Sequence, residues 1–270
     1  MPRPVIALLT DFGNRDHYAG TMKGVVLGIC PEATLVDISH EVAAGDVLAG
    51  ALELAAAYRY FPVGSIFLVV VDPGVGSSRR GLAAEAGDYR FVAPDNGVLS
   101  IVFDENEAKR AVELSEARYA RPTVSRTFEG RDRFAPAAAW LANGIELTAL
   151  GRPAGAVHRL EVPRPRDTAQ GVEGEVVRVD RFGNLITNID RPRVERLASR
   201  HPLVIRVGSL QISKVVSTYA DSPPGELCAL FGSTDHLEIS ANGASAAAEI
   251  GAGRGTTVRV TGPVPPASVA

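Results

Sequence analysis

Apolar runs and helical spacing alternate through the first part of the chain. Val5 to Leu9 (VIALL) reads as a short strand, and Thr34 to Ser39 (TLVDIS) as a second. Ile66 to Val71 (IFLVVV) has six apolar residues in a row, which is the pattern of a strand buried on both faces. Between them, Tyr18 to Cys30 has helical character and stops at Pro31. Asp46 to Tyr60 carries Val47, Leu48, Ala51, Leu52 and Ala55 on one helical face. Leu82–Ala86 and Arg90–Ala93 read as paired strands around a Gly-Asp turn, and Arg131 to Asn143 as a helix ending before Gly144. Strands alternating with helices predict an α/β domain with a largely parallel central sheet over residues 1–150.

The pattern then changes. Residues 151–171 hold three prolines and scattered charge and read as a linker. Beyond them, short β-branched runs (GEVVRVD, NLITNI, PLVIRVG, ELCALF, HLEIS, TTVRV) are punctuated by Gly, Pro and Asn, with Arg191 to Arg200 the one helical stretch. That predicts an all-β, barrel-like domain over residues 172–270.

Composition narrows the class. The chain has 270 residues, 46% apolar and 22% charged, with a net charge of −3. That balance argues against a nucleic-acid partner, which calls for a basic excess. No apolar run approaches the roughly 18 residues of a membrane span, and the N-terminus lacks a signal-peptide pattern, so the expectation is a cytoplasmic protein without a membrane partner. Cys30 and Cys228 are too far apart in sequence for a CxxC site and read as small buried residues.

Parallel sheets bind ligands beyond the carboxyl ends of their strands. Asp11 and Asp72 stand at two such ends, and Asp95 (APDNG) at a third. Taken singly, each is equally a turn former or a helix cap. Asp72 opens a tight Pro-Gly-Val-Gly turn followed by Arg79 and Arg80. There is no Walker loop, no GxSxG elbow and no zinc-type histidine spacing. Glu129, Arg131 and Asp132 sit just ahead of a helix, where acids are favoured in any case. In the β region, VDRFGNLITNID reads either as a hairpin with Gly183-Asn184 at its turn or as a site where a phenylalanine stacks a base beside a hydrogen-bonding asparagine.

The blocks LLTDFGNRDHYAGTMKGVVLGICPEATLVDISHEV, VVVDPGVGSSRR, FVAPDNGVLS, GRDRFAPAAAWLA, DRFGNLITNI and LEISANGASAA, in this order, resemble the SAM-dependent hydroxide adenosyltransferases, relatives of the fluorinases and chlorinases. The resemblance implies a homotrimer with active sites at subunit interfaces. It also implies hydrolysis of S-adenosyl-L-methionine (SAM) to adenosine and methionine, by attack of water or hydroxide at the ribose C5′. SAM is then the substrate, and neither cofactor nor metal is needed. Residue by residue, it implies that Asp11 grips the ribose diol and that Asp72 and Arg79 belong to an Asp-Arg-His catalytic set. Phe182 and Asn184 would stand at the adenine and methionine ends of the pocket, with Ser233, Glu238 and Ala241 on its far wall. Arg79 is expected to fold back onto Asp72, and Arg80 to be a solvated surface charge.

The family pattern has histidine where this chain has Glu129. Glu129 is then either the base itself or the mark of a slow or altered enzyme, with Arg131 a candidate to offset its charge. The halogenase branch has tyrosine and threonine in place of Asp72 and Val75 and a long insertion after the turn, whereas only ten residues separate Arg80 from Phe91 here. Other readings are a catalytically weak SAM- or adenosine-binding module, a SAM-dependent chlorinase, and a metal-dependent phosphohydrolase using Asp11, Asp16 and Asp72.

Overall fold

The apolar runs near the N-terminus pair in parallel. In the computed structural model, which describes residues 3–198, 203–212 and 214–262, the chain divides into two units at Val162/Pro163. The strands of the first are β1 (Val5–Thr10), β2 (Thr34–Ser39), β3 (Ile66–Val70), β4 (Gly81–Ala86), β5 (Tyr89–Pro94) and β6 (Ala108–Glu113). They form one sheet in the order β2-β1-β3-β5-β4-β6. The β1–β2, β1–β3 and β3–β5 pairs are parallel, whereas β4 runs antiparallel to both β5 and β6.

The sheet is covered on both faces, which is why β3 is wholly apolar. Ile6, Leu8, Ile66, Leu68 and Val70 join a core with Met22 and Val26 of α1 (Tyr18–Ile29) and with Ala138 of a later helix, α4 (Ala135–Ala142). Ala7, Leu9, Phe67, Val69 and Val71 point the other way, onto Leu54 of α2 (Val47–Ala57) and Val102 of α3 (Ser100–Glu105). Adjacent strand residues thus serve opposite cores. The predicted helix over Arg131–Asn143 begins instead with a π-helical turn, Gly130–Phe134, that runs into α4.

The second unit pairs its strands antiparallel, with one parallel bridge between Val215 and Ala229. Its strands are β7 (Arg166–Thr168), β8 (Gly171–Val179), β9 (Leu185–Asp190), β10 (Val204–Val207), β11 (Leu210–Ile212), β12 (Leu227–Phe231), β13 (His236–Ala241) and β14 (Thr257–Thr261). They follow the order β11-β10-β14-β8-β9-β13-β12, with β7 on β8. After β11 the chain bridges to β12, with Ala229 N donating to Lys214 O and Val216 N to Ala229 O, so the sheet nearly closes into a barrel. Val172, Val176, Leu185, Ile189, Ile205, Val207, Leu237, Ile239, Val258 and Val260 fill its interior. Two helices flank it: α5 (Arg191–Ala198), on the stretch predicted to be helical, and the short α6 (Ala246–Ile250), capped by Ser245.

The tract read as a linker is fixed at both ends. Ala154 N donates to Ala111 O, His158 N to the Asp95 carboxylate and Leu160 N to the Ser100 hydroxyl, which ties it to the first unit. At its other end β7 pairs with β8.

Candidate active site

Asp11 follows β1 directly and is half-buried. Its Oδ2 accepts the Gly45 amide at 2.8 Å, and Gly45 takes φ +72°, a left-handed conformation suited to glycine. Because Thr10 pairs with Val70, Asp11 and Asp72 emerge from neighbouring strand ends.

Asp72 is the focus of the first unit. Its side chain is 4% exposed, that of Arg79 8% and that of Glu129 15%. Arg79 Nε donates to Asp72 Oδ1 at 3.0 Å and Nη2 bonds Asp72 Oδ2, a two-point grip that suits a guanidinium on a carboxylate. The same Nη2 donates to Glu129 Oε2 at 2.7 Å. The third nitrogen, Nη1, donates to the Arg80 carbonyl at 2.9 Å, and the guanidinium lies 5.3 Å over the Phe134 ring.

The Pro73–Gly76 turn makes this fold-back possible. Ser77 N and Oγ both donate to Gly74 O, and Gly76 adopts φ +76°. A Cβ on Gly76 would run into the Arg126 carbonyl oxygen, while Arg126 Nη2 donates to Gly76 O at 2.8 Å. The turn is clasped to the segment that carries Glu129. Burial pushes the Asp72 carboxyl above its ordinary value, Arg79 pulls it back only in part, and the Glu129 charge adds to the rise.

Three expectations are corrected here. Arg80 is not a solvated charge: it bonds the Asp95 carboxylate and the Ala154 and Ala156 carbonyls. Asp95, taken up by Arg80 and by the His158 amide, is a structural anchor. Arg131 does not reach Glu129. It chelates Asp132 at 2.7 and 2.8 Å and lies over the Phe128 ring. The second cation at Glu129 is Arg133, one turn on, with Nε 3.4 Å from Oε1. Its i, i+4 spacing was the signal available in the sequence. Also unread there was an aromatic cluster of Phe12, Tyr18 and Phe128, with ring centroids 5.1–6.0 Å apart, which packs the Asp11 loop against the residue before Glu129.

The second unit gathers its own set. Asp180 organises the loop between β8 and β9: Oδ1 accepts the Phe182 and Asn184 amides, both at 2.9 Å, and Oδ2 accepts Asn184 Nδ2 at 2.8 Å. Asn184 is thereby buried and oriented, whereas Phe182 is 77% exposed, an unusual state for an aromatic ring. Gly183, at φ +83°, leaves no room for a Cβ beside Ser245. So the loop is a hairpin turn that leaves the Phe182 ring exposed. Glu238, buried on β13, accepts the Tyr219 hydroxyl at 2.7 Å and the Ser240 hydroxyl at 2.8 Å. Burial and the Glu238 carboxylate push the Tyr219 hydroxyl well above the ordinary tyrosine value. Ser233 is exposed in the β12–β13 turn, and Ala241 ends β13, buried. Asp180, Tyr219 and Ser240 were missed in the sequence; Asp180 stood two residues before Phe182, at a typical Asx-turn offset. Among the described residues, no group of three or more His, Cys, Asp or Glu is placed to hold a metal ion, and no helix is long and apolar enough to cross a membrane.

Both units match known families. The SAM hydroxide adenosyltransferase N-terminal domain matches residues 6–151, and the C-terminal domain of the same family matches residues 174–259. The chain is 39% identical over 264 residues to a protein of Salinispora tropica named (R)-S-adenosyl-L-methionine hydrolase, covering 96% of this chain and 98% of that one. It is 30% identical over 290 residues to a fluorinase of Actinoplanes sp., covering 96% and 97%. A solved structure of an uncharacterized conserved protein from Thermotoga maritima superposes with a TM-score of 0.90 at 35% identity, covering 95% of this chain and 99% of that one. With both family domains in order along nearly its whole length, the chain belongs to the SAM hydroxide adenosyltransferase family.

Proposed function

We propose that the protein hydrolyses S-adenosyl-L-methionine to adenosine and L-methionine. The observation that carries this is the buried Asp72–Arg79–Glu129 network at the carboxyl edge of a parallel sheet, in a chain of this family whose relatives bear the hydrolase name. A water oxygen bonds to the ribose C5′ as the C5′–S bond breaks. Its electron pair stays on sulfur, and methionine leaves as a neutral thioether. The sulfonium needs no acid, so the protein's task is to place the water and receive its proton. Asp72, poised above the ordinary carboxylate value and held by Arg79, takes that proton. The Asp11 carboxylate offers two acceptors to the ribose diol. Phe182 and Asn184 serve the base and the methionine. No metal or cofactor takes part.

Water rather than halide fits the site, because the Asp72 carboxylate repels an approaching halide but can take a proton from a neutral water. Glu129 adds a second negative charge there, which favours slow turnover and gives weight to a second reading as a SAM- or adenosine-binding module. We further propose a homotrimer in the cytoplasm, with sites shared between subunits; sedimentation of the active protein as a monomer would contradict this. Incubating EDTA-treated protein with SAM and separating the products tests the reaction. Equal amounts of adenosine and methionine are expected. A protein that retains SAM and releases no adenosine above background is a binding module.

A further inference from the structure

A polar chain, solvent-exposed at Lys23 and Asp37 and buried at His40 and Thr10, runs from helix α1 to the residue just before Asp11. Lys23 Nζ donates to Asp37 Oδ2 at 2.6 Å. Asp37 Oδ1 lies 3.0 Å from His40 Nε2, within ion-pair distance but bent away from hydrogen-bond geometry, so Nε2 makes no hydrogen bond as it stands. His40 Nδ1 lies 2.8 Å from the Thr10 hydroxyl, and that oxygen accepts the Phe12 amide at 3.3 Å. Thr10 is wholly buried and His40 is 3% exposed. His40 also grips the loop through its backbone, since its carbonyl accepts the Gly13 amide at 2.7 Å, while Asn14 reaches Glu41 at 2.7 Å.

One arrangement of donors and acceptors links the whole chain. Burial works against an ionised Asp37, but the Lys23 and His40 contacts outweigh it and hold its carboxyl below the ordinary range, so Asp37 is an acceptor. The His40 proton facing it sits on Nε2, which leaves Nδ1 bare to accept the Thr10 O–H. The Thr10 oxygen is then turned to the Phe12 amide. Each group directs the next, and the last holds the turn on which Asp11 stands.

We propose that Asp37, His40 and Thr10 form a relay of positioning residues that sets the Asp11 loop for the ribose hydroxyls, an inference that rests on the ribose-gripping role given to Asp11 above. The relay touches no reacting atom, and Asp11 serves ground and transition states alike. Its loss should therefore weaken binding and leave the chemical step intact.

The test uses the full-length protein. Nitrogen NMR of His40 should show the Nε2-protonated tautomer; the Nδ1-protonated form overturns the relay. In Thr10→Val, hydrogen exchange at the Phe12 and Gly13 amides should speed about tenfold. The dissociation constant for adenosine should rise about tenfold, with kcat on SAM within about twofold. Thr10→Ser should restore both binding and exchange, which a loss of packing alone does not predict. Asp37→Asn, which keeps the shape and misdirects the histidine proton, should weaken adenosine binding similarly and serves if Thr10→Val does not fold. Unchanged adenosine affinity in a folded Thr10→Val or Asp37→Asn protein overturns the proposal. If the parent protein releases no adenosine from SAM, the proposed reaction fails, while the tautomer and the amide exchange still decide the relay.

Discussion

Asp72 and Glu129 share one nitrogen: Arg79 Nη2 bonds an oxygen of each, so two carboxylates are held on a single guanidinium. Glu129 thus competes with Asp72 for its cation, and only Arg133 helps to balance it. Glu129→His would release Nη2 to Asp72 and remove a charge that opposes hydroxide. Turnover is expected to rise about tenfold, within the range of one acid–base group, with adenosine affinity little changed. Steady-state kinetics checks this. Loss of activity in Glu129→Gln would instead make Glu129 the working base.

The raised Asp72 pKa sets the pH profile. Below that pKa Asp72 holds its proton and cannot accept another, so the acid limb of kcat should lie above the ordinary aspartate value of about 3.9. Glu129's charge contributes to the rise, so any activity left in Glu129→Gln should show an acid limb displaced to lower pH. A pH–rate series on the parent and the variant measures both.

Asp11 and Asp72 should separate binding from chemistry. Asp11→Ala is expected to weaken adenosine binding by tenfold or more, since hydrogen bonds to a charged group are each worth about 1.5–3 kcal/mol. Asp72→Asn should lower kcat by about a hundredfold and leave adenosine affinity within about twofold. Calorimetry and product chromatography on the two variants decide it.

Asp132, fully buried, accepts two bonds from Arg131 and one from the Ser125 amide. Burial opposes its ionisation, but these bonds and the Arg131 and Arg121 charges outweigh that and hold its carboxyl low. The folded pKa lies below the unfolded one. The stability it contributes is therefore complete above about pH 4 and lost as pH falls through the lower folded value. Asp132→Asn should cost about 2 kcal/mol at pH 7 in urea unfolding, and the gap should narrow in acid.

The buried strands were legible because a strand covered on both faces has to be apolar, and β3 announces itself. The edge strand β6 was not: Ala108–Glu113 pairs with β4 on one side, meets only an isolated bridge at Pro153 on the other, and carries charge, so it has no such signature. The six-residue α3 and five-residue α6 are too short for a helical period to show. Within the site, the fold-back of Arg79 onto Asp72 was expected from the family resemblance. The fate of Arg80 was not, because its partners Ala154 and Ala156 lie more than seventy residues away in sequence. Arg133 is the partner of Glu129 because the π-helical turn Gly130–Phe134 sets the two residues one turn apart, whereas Arg131 is drawn off by Asp132.

The register of β1 against β3 acts as a ruler. Parallel neighbours stand about 4.8 Å apart, and Asp11 and Asp72 leave adjacent strands at nearly the same level. That interval is of the order of the span across a ribose, from its diol to C5′. Under the roles proposed for Asp11 and Asp72, the backbone register would span the sugar, and the groups around Asp72 would govern what attacks it. Such a division lets one position beside Asp72 change from histidine to glutamate without altering the gauge.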